Sequence, residues 1–373
     1  MQFIEKIIIN ASLLTCTAMK KFMRALGAGS SRTHRTPPQN LSRPERSPSS
    51  RPSSRHSESG ALSELASRGG NYGGANSLPP RAEKKAAALR EALENSYVSY
   101  ELSEYARTAL SAASTGSTGE ITALDARNKQ LLANAYNDRH SELRLSCHDS
   151  AQSFFAEFMQ SQKPAWRSIV QLSQSSLHHV AMDVRIQDGK RTLLVIEPAL
   201  ARGEDDNGDV QILAGYEQLA RNVQNCLGDD GDLAVVQLGA QKSNYDCIIF
   251  SLDLALCAYQ KDNIFDELHD SLRRNVRCFS SQERKSVVDK NIEFIDGTKF
   301  LPAVFFKHAH SRATIAEVIE SQPELEGKNV STGRDNPAET LSERVQDFRV
   351  TREKSYSMSI EASRLRKIRK AIE

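Results

Sequence analysis

Gln241-Lys-Ser-Asn-Tyr-Asp-Cys-Ile-Ile-Phe-Ser-Leu252 joins a polar loop to an apolar run. Asp246 is of the N-cap residue type, and Ile248, Leu252, Ala255, Leu256 and Tyr259 recur close to the spacing of one helical face before Lys261. The run is therefore expected to be a helix with Cys247 in its first turn. A thiol there meets unpaired backbone N–H groups and the positive end of the helix dipole, which favour the thiolate. A lone Cys at the start of a core helix is more often structural than reactive. What lies upstream of it decides between the two.

Upstream, Val180, Met182, Val184 and Ile186 alternate within Leu177 to Ile186, the signature of a strand. Asp188-Gly189 is a hairpin signal, and Thr192 to Ile196 is a second β-rich run ending in Glu197-Pro198. A two-residue loop at Asp188-Gly189 sets Glu197 opposite Val180. His178 has the parity of Val180 and becomes the diagonal neighbour of Glu197, with Cβ atoms roughly 7 Å apart or less. A carboxylate that holds an imidazole selects its tautomer and stabilises the imidazolium, as a general base for a thiol requires. His179 points to the opposite face. Leu233 to Leu238 reads as a buried strand leading into the Gln241 loop. From there the Gln241 amide can be aimed at an oxygen that gains charge during attack on a carbonyl, a donor worth roughly 3 kcal/mol of barrier.

Composition bounds the rest. The chain has 373 residues, with Lys+Arg 49 against Asp+Glu 47, so no global basic field argues for nucleic acid. The 6 Cys form no CxxC pair and suit free thiols in a reducing compartment. No apolar run approaches membrane-spanning length. Residues 1–81 are expected to be a disordered secretion or tether segment. Gly27 to Arg81 is rich in Ser, Pro and Arg with almost no large apolar residue, and Lys20 to Arg55, Arg- and Ser-rich and poor in acids, fits a transit peptide or the address of a bacterial injection system. From Ala82 the sequence turns helical: Ala82 to Leu102, a segment near Tyr105 to Ala113, Leu124 to Tyr136 and Cys147 to Gln160 are the expected helices. Residues 82–165 form a helical lead-in to a catalytic core, 166–320. The remainder, 321–373, is a C-terminal segment that turns basic from Val350, with Arg364, Arg366 and Arg369 on what reads by default as a solvated face.

Taken in order, His178-His-Val-Ala-Met-Asp183, Ile196-Glu-Pro-Ala199, Gln241 to Leu252, and Leu301-Pro-Ala-Val-Phe-Phe-Lys-His308 resemble the motif series of the YopJ acetyltransferase effectors, in particular the plant-pathogen branch that includes HopZ and AvrBsT. The resemblance runs from about Ala82 to the C-terminus. It implies an α+β fold whose core is similar to ubiquitin-like-protein cysteine proteases, with an added helical regulatory region and 321–373 as a C-terminal regulatory segment. It also implies His178 as base, Glu197 as its orienter, Cys247 as nucleophile and Gln241 in the oxyanion hole. Acetyl would pass from acetyl-CoA to Cys247 as a thioester and then to a Ser, Thr or Lys of a host signalling or immune protein. The chain would be delivered by a bacterial secretion apparatus and activated by inositol hexakisphosphate. Lys242, Ser243 and Lys261 resemble CoA-contacting positions. Lys307, Arg139 and Arg90 resemble activator ligands, and Arg364, Arg366 and Arg369 are further possible contacts. The residues alone leave two alternatives open, a ubiquitin-like-protein protease using the same triad and a non-enzymatic adaptor. Ile248, where many related proteases carry Gly, weighs against the protease.

Overall fold

A computed structural model describes residues 77–173, 176–204, 210–228, 231–274, 286–289, 292–331 and 337–373. The expected secretion segment lies outside them except at its end, where Pro80 and Arg81 already open the first helix. Three helices begin the described chain: α1 (Pro80–Asn95), α2 (Tyr100–Thr115) and α3 (Gly119–Asn137). The single helix expected from Ala82 to Leu102 is broken, because Ser96 is extended and Ser99 caps a new helix by accepting the Leu102 N–H at 3.3 Å. The helix expected from Cys147 is also shorter. Leu145–His148 is a strand, β1, and Ser150 caps α4 (Ala151–Gln160) by accepting the Ser153 N–H at 3.0 Å.

The strands β2 (Ala165–Gln171), β3 (His179–Gln187) and β4 (Lys190–Glu197) follow, then a two-stranded ribbon, β5 (Arg202–Glu204) and β6 (Val210–Ile212). After α5 (Tyr216–Leu227) come β7 (Gly231–Gln237), α6 (Cys247–Gln260), α7 (Asp262–Arg273), β8 (Ser286–Asp289) and β9 (Ile292–Asp296). Then α8 (Arg312–Ser321) and α9 (Leu341–Asp347) lead to a second ribbon, β10 (Arg349–Thr351) and β11 (Ser355–Ser357), and to the last helix, α10 (Ser359–Ile372). Among the described residues the main sheet has seven strands in the order β1-β2-β3-β4-β7-β9-β8. It is mixed: β1 lies parallel to β2, β4 to β7 and β7 to β9, and the remaining neighbours are antiparallel.

The β3–β4 register, Ala181 opposite Ile196 and Gln187 opposite Lys190, is the one its turn dictates. Asp188 (φ 53°) and Gly189 (φ 80°) are both left-handed, as a type I′ turn requires. The expected alternation of buried and open positions along β3 does not hold. Because β3 is a central strand it is buried from His179 to Arg185, and its polar residues are paired: Asp183 receives Arg167 at 2.7 Å and His269 at 3.0 Å.

Nor is α6 amphipathic. It contacts β2, β3 and β4 on one side and α3 and α10 on the other, so that all but three of its residues are buried. The C-terminal helix, far away in sequence, packs on α1, α2 and α3. Through it, the lead-in and the C-terminal segment form one helical body over α6.

Candidate active site

His178 stands one residue ahead of β3, Glu197 ends β4, and Cys247 begins α6. The ring Nε2–H of His178 donates to Glu197 Oε2 at 2.7 Å. That carboxylate is wholly buried and fully engaged: the Tyr216 hydroxyl donates to the same oxygen at 2.6 Å, and the Ala199 N–H donates to Oε1 at 2.8 Å. With Nε2 committed to Glu197, Nδ1 is the nitrogen left for Cys247. Burial by itself would lower the imidazole's pKa, but hydrogen bonding to Cys247 and Glu197 prevails and pushes His178 up to about 10. It is thus an imidazolium at neutral pH. The Cys247 thiol lies 3.3 Å from the Leu177 carbonyl.

Asp246 occupies the N-cap position but makes no capping hydrogen bond. Its carboxylate accepts instead from Ser243 Oγ at 2.5 Å and from Arg364 Nη2 at 2.7 Å. The first-turn amides of α6 are therefore not taken by that side chain, and Arg364 offsets a negative charge beside the sulfur. Burial opposes the Asp246 charge, yet Arg364 and His310 hold its carboxyl below the usual range. Gln241 is tied into its loop: its N–H donates to the Pro198 carbonyl at 2.8 Å and its side-chain Nε2 to the Ser243 carbonyl at 2.6 Å. One side-chain N–H is thus spent on the loop itself. Lys242 has an exposed side chain, and its backbone N–H donates to His310 Nδ1 at 3.0 Å. Lys261 is exposed at the junction of α6 and α7.

A second polar cluster surrounds Asp253 of α6. Burial opposes its charge, but Lys367 (2.9 Å), His308 (3.4 Å) and Lys307 (3.8 Å) hold its carboxyl well below the usual range. Cations crowd this place. Burial, with the nearby guanidinium groups of Arg344, Arg366 and Arg81, pushes the Lys85 ammonium well below its usual range. Arg366 Nε and Arg369 Nε are buried without a hydrogen bond, although Arg369 Nε pairs with Glu373 at 3.4 Å and Arg366 Nη2 with Asp253 at 3.8 Å. Arg139 lies at the end of α10, donating to the Lys370 carbonyl at 3.1 Å, and Arg90 is paired with Glu83 at 2.8 Å. Arg364 corrects the default of a solvated face. It is 3% exposed, because α10 is roofed by α1 to α3.

Several residues of these clusters were not singled out by the sequence reading: Tyr216, His310, Asp253, Lys85, Arg344 and Lys367. Asp253 did carry a signal, an acid inside an otherwise apolar helix, which must find a cation if buried. Tyr216 carried none.

A buried thiol at a helix start, beside an imidazole held by a carboxylate, defines a cysteine–histidine–acid arrangement on a mixed sheet. Comparison with known proteins places it more closely. The model of the YopJ serine/threonine acetyltransferase family matches residues 102–370. A serine/threonine-protein acetyltransferase of Sinorhizobium fredii (strain NBRC 101917 / NGR234) is 35% identical over 205 residues, 53% of this chain and 76% of the relative. The acetyltransferase HopZ1a of Pseudomonas syringae pv. syringae is 28% identical over 307 residues, 72% of this chain and 80% of its own length. A crystal structure of HopZ1a in complex with IP6 and CoA is similar in fold, with a TM-score of 0.69, 22% identity, and coverage of 80% of this chain and 98% of that one. The chain belongs to the YopJ serine/threonine acetyltransferase family and is an acetyltransferase effector. That membership implies secretion and host protein targets. Among the described residues, no helix is long and apolar enough to cross a membrane.

Proposed function

We propose that Cys247, His178 and Glu197 carry the acetyl transfer on a core of the ubiquitin-like-protease kind, with acetyl-CoA as donor and a Ser, Thr or Lys of a host signalling or immune protein as acceptor. The observation that carries this reading is the 2.7 Å bond from His178 to a buried Glu197, with Cys247 close enough to interact with the same ring. His178 takes the Cys247 proton, and the resulting thiolate attacks the acetyl carbonyl carbon. A C–S bond to the enzyme forms, the C–S bond to CoA breaks, and the CoA sulfur leaves with the proton that His178 carries. His178, now neutral, takes the proton of the acceptor hydroxyl or amine, whose oxygen or nitrogen attacks the thioester and displaces Cys247. Glu197 keeps the ring oriented and stabilises its cationic form throughout. The uncapped first-turn amides of α6, with the remaining N–H of Gln241, are the donors for the oxyanion of each step. Lys242, Ser243 and Lys261 border the CoA path.

Inositol hexakisphosphate is the activator. Its dense negative charge fits a place where cations outnumber anions and where Arg366 has only a long, 3.8 Å pairing with Asp253. Lys85, Lys307, Arg366 and Arg369 would hold it, with Arg139 at the edge. Arg90, on α1 and paired with Glu83 at the surface, would be a further contact. Residues 82–165 and 321–373 then act together as the regulatory body, and 166–320 as the catalytic core.

Incubation with labelled acetyl-CoA, with and without inositol hexakisphosphate, tests the reading. Label on protein acceptors that depends on the phosphate and vanishes in Cys247→Ala is the expected result. Release of ubiquitin or a ubiquitin-like protein from conjugates without any labelling would replace it with the protease reading. Undiminished labelling in Cys247→Ala would remove the nucleophile.

A further inference from the structure

Two buried, charged residues one turn apart on α3 reach the chain neighbours of the reacting pair. Lys129 places its ammonium 3.0 Å from His179 Nε2, 2.6 Å from Asp149 Oδ1 and 3.5 Å from the His148 carbonyl. An ammonium only donates, so His179 Nε2 must accept and the ring proton must sit on Nδ1. That Nδ1–H donates to the Leu177 carbonyl at 2.7 Å. The same carbonyl faces Cys247 Sγ at 3.3 Å and belongs to the peptide bond that leads into His178. Lys129, through the tautomer of His179, thus fixes the peptide unit on which His178 is mounted.

One turn earlier, Asp125 accepts from Arg364 Nε at 3.0 Å and pairs with its Nη2 at 2.8 Å, and the Tyr105 hydroxyl donates to Asp125 at 2.7 Å. Arg364 Nη2 continues to Asp246 Oδ1 at 2.7 Å, and Asp246 immediately precedes Cys247. Both links start from one rigid helix. Asp125 is 0% exposed and Lys129 4%.

We propose that Asp125 and Lys129 are positioning residues of the acetyl transfer: α3 sets the spacing of sulfur and imidazole by holding Asp246 through Arg364 and the Leu177–His178 peptide through His179. This rests on the reading of Cys247 and His178 as the reacting pair. Neither residue exchanges a proton with substrate. Without the Lys129 donor, His179 is free to carry its proton on Nε2, and Nδ1 then presents a lone pair to the Leu177 carbonyl in place of a hydrogen bond. The two acceptors repel, and the peptide ahead of His178 shifts. Displacements of about 1 Å cost such sites roughly a hundredfold in rate.

The test is the pH dependence of Cys247 alkylation by iodoacetamide in the full chain, read at the Cys247 peptide by mass spectrometry, beside the thermal midpoint of each variant. Lys129→Met, His179→Phe and Asp125→Asn are expected to slow alkylation at pH 7 about tenfold, the equivalent of one hydrogen bond, and to move its midpoint. His179→Asn, whose amide nitrogen stands where Nδ1 does, is expected to recover most of the lost rate. Unaltered alkylation profiles with a lowered thermal midpoint would make these residues merely structural and overturn the proposal. If Lys129→Met does not fold, the His179 variants decide alone: equal profiles for Asn and Phe overturn it. If His178→Asn leaves Cys247 alkylation unchanged, the reacting pair itself falls and takes the positioning residues with it.

Discussion

Tyr216 and His178 donate to one and the same oxygen of Glu197, at 2.6 Å and 2.7 Å. The phenol is uncharged and wholly buried, so it holds the carboxylate in place without competing for the proton chemistry. Tyr216→Phe leaves His178 and the Ala199 N–H as donors. The expected cost is about 1 kcal/mol of stability in urea unfolding, with roughly a fivefold fall in transfer rate. A rate loss as large as that of Cys247→Ala would mean that Tyr216 takes part in the chemistry itself.

The same carboxylate makes the site's contribution to stability depend on pH. His178 is raised to about 10 in the fold, by Cys247 and Glu197 acting against burial, whereas an unfolded His titrates near about 6.5. A group with a raised pKa stabilises fully below its unfolded value, and that stability is lost as pH rises through the folded one. The window therefore runs from about 6.5 to about 10. Urea midpoints of the wild type should fall across it more steeply than those of His178→Asn. Parallel curves for the two proteins would remove the raised imidazole from the account.

Gly215 takes the step that delivers Tyr216 to Glu197. Its φ is 102°, and a Cβ there would stand 2.7 Å from the Leu172 carbonyl oxygen, which is backbone and cannot swing aside. Gly215→Ala is expected to cost roughly 1–3 kcal/mol and to reduce activity beyond Tyr216→Phe, because it displaces the start of α5. Unfolding curves and transfer rates of the two variants measured side by side check the order.

A polyanion that binds only the folded protein raises its stability by mass action, by about 2.7 kcal/mol at a hundredfold excess over the dissociation constant. Inositol hexakisphosphate is therefore expected to raise the thermal midpoint of the wild type. Arg366→Gln and Lys85→Gln should shrink that rise, and added salt should weaken the binding. Lys85→Gln also relieves a cation crowded by Arg344, Arg366 and Arg81, so it should stabilise the protein without the phosphate. An undiminished rise in both variants would move the activator elsewhere.

Sequence by itself determined what short-range geometry controls. Asp188-Gly189 could only turn one way, and from that turn the register of β3 and β4 follows and brings His178 to Glu197. The existence of the helix beginning at Cys247 and of the strand before Gln241 was legible over a few consecutive residues, but the one-sided burial expected of that helix was not what its packing produced. The breaks at Ser96 and before Ser150 were less so, since a cap competes with helix propensity on nearly equal terms.

Tertiary structure alone decided which charges are buried and whom they serve. Arg364 looks like part of the solvated face of a basic terminal helix until α1, α2 and α3 close over it. Lys129 and Asp125 sit in an ordinary-looking helical segment and acquire a task only because α3 lies against the start of α6 and the peptide ahead of β3. The cost of burying a charge is fixed by what packs around it, and those neighbours lie far along the chain, where no local period records them.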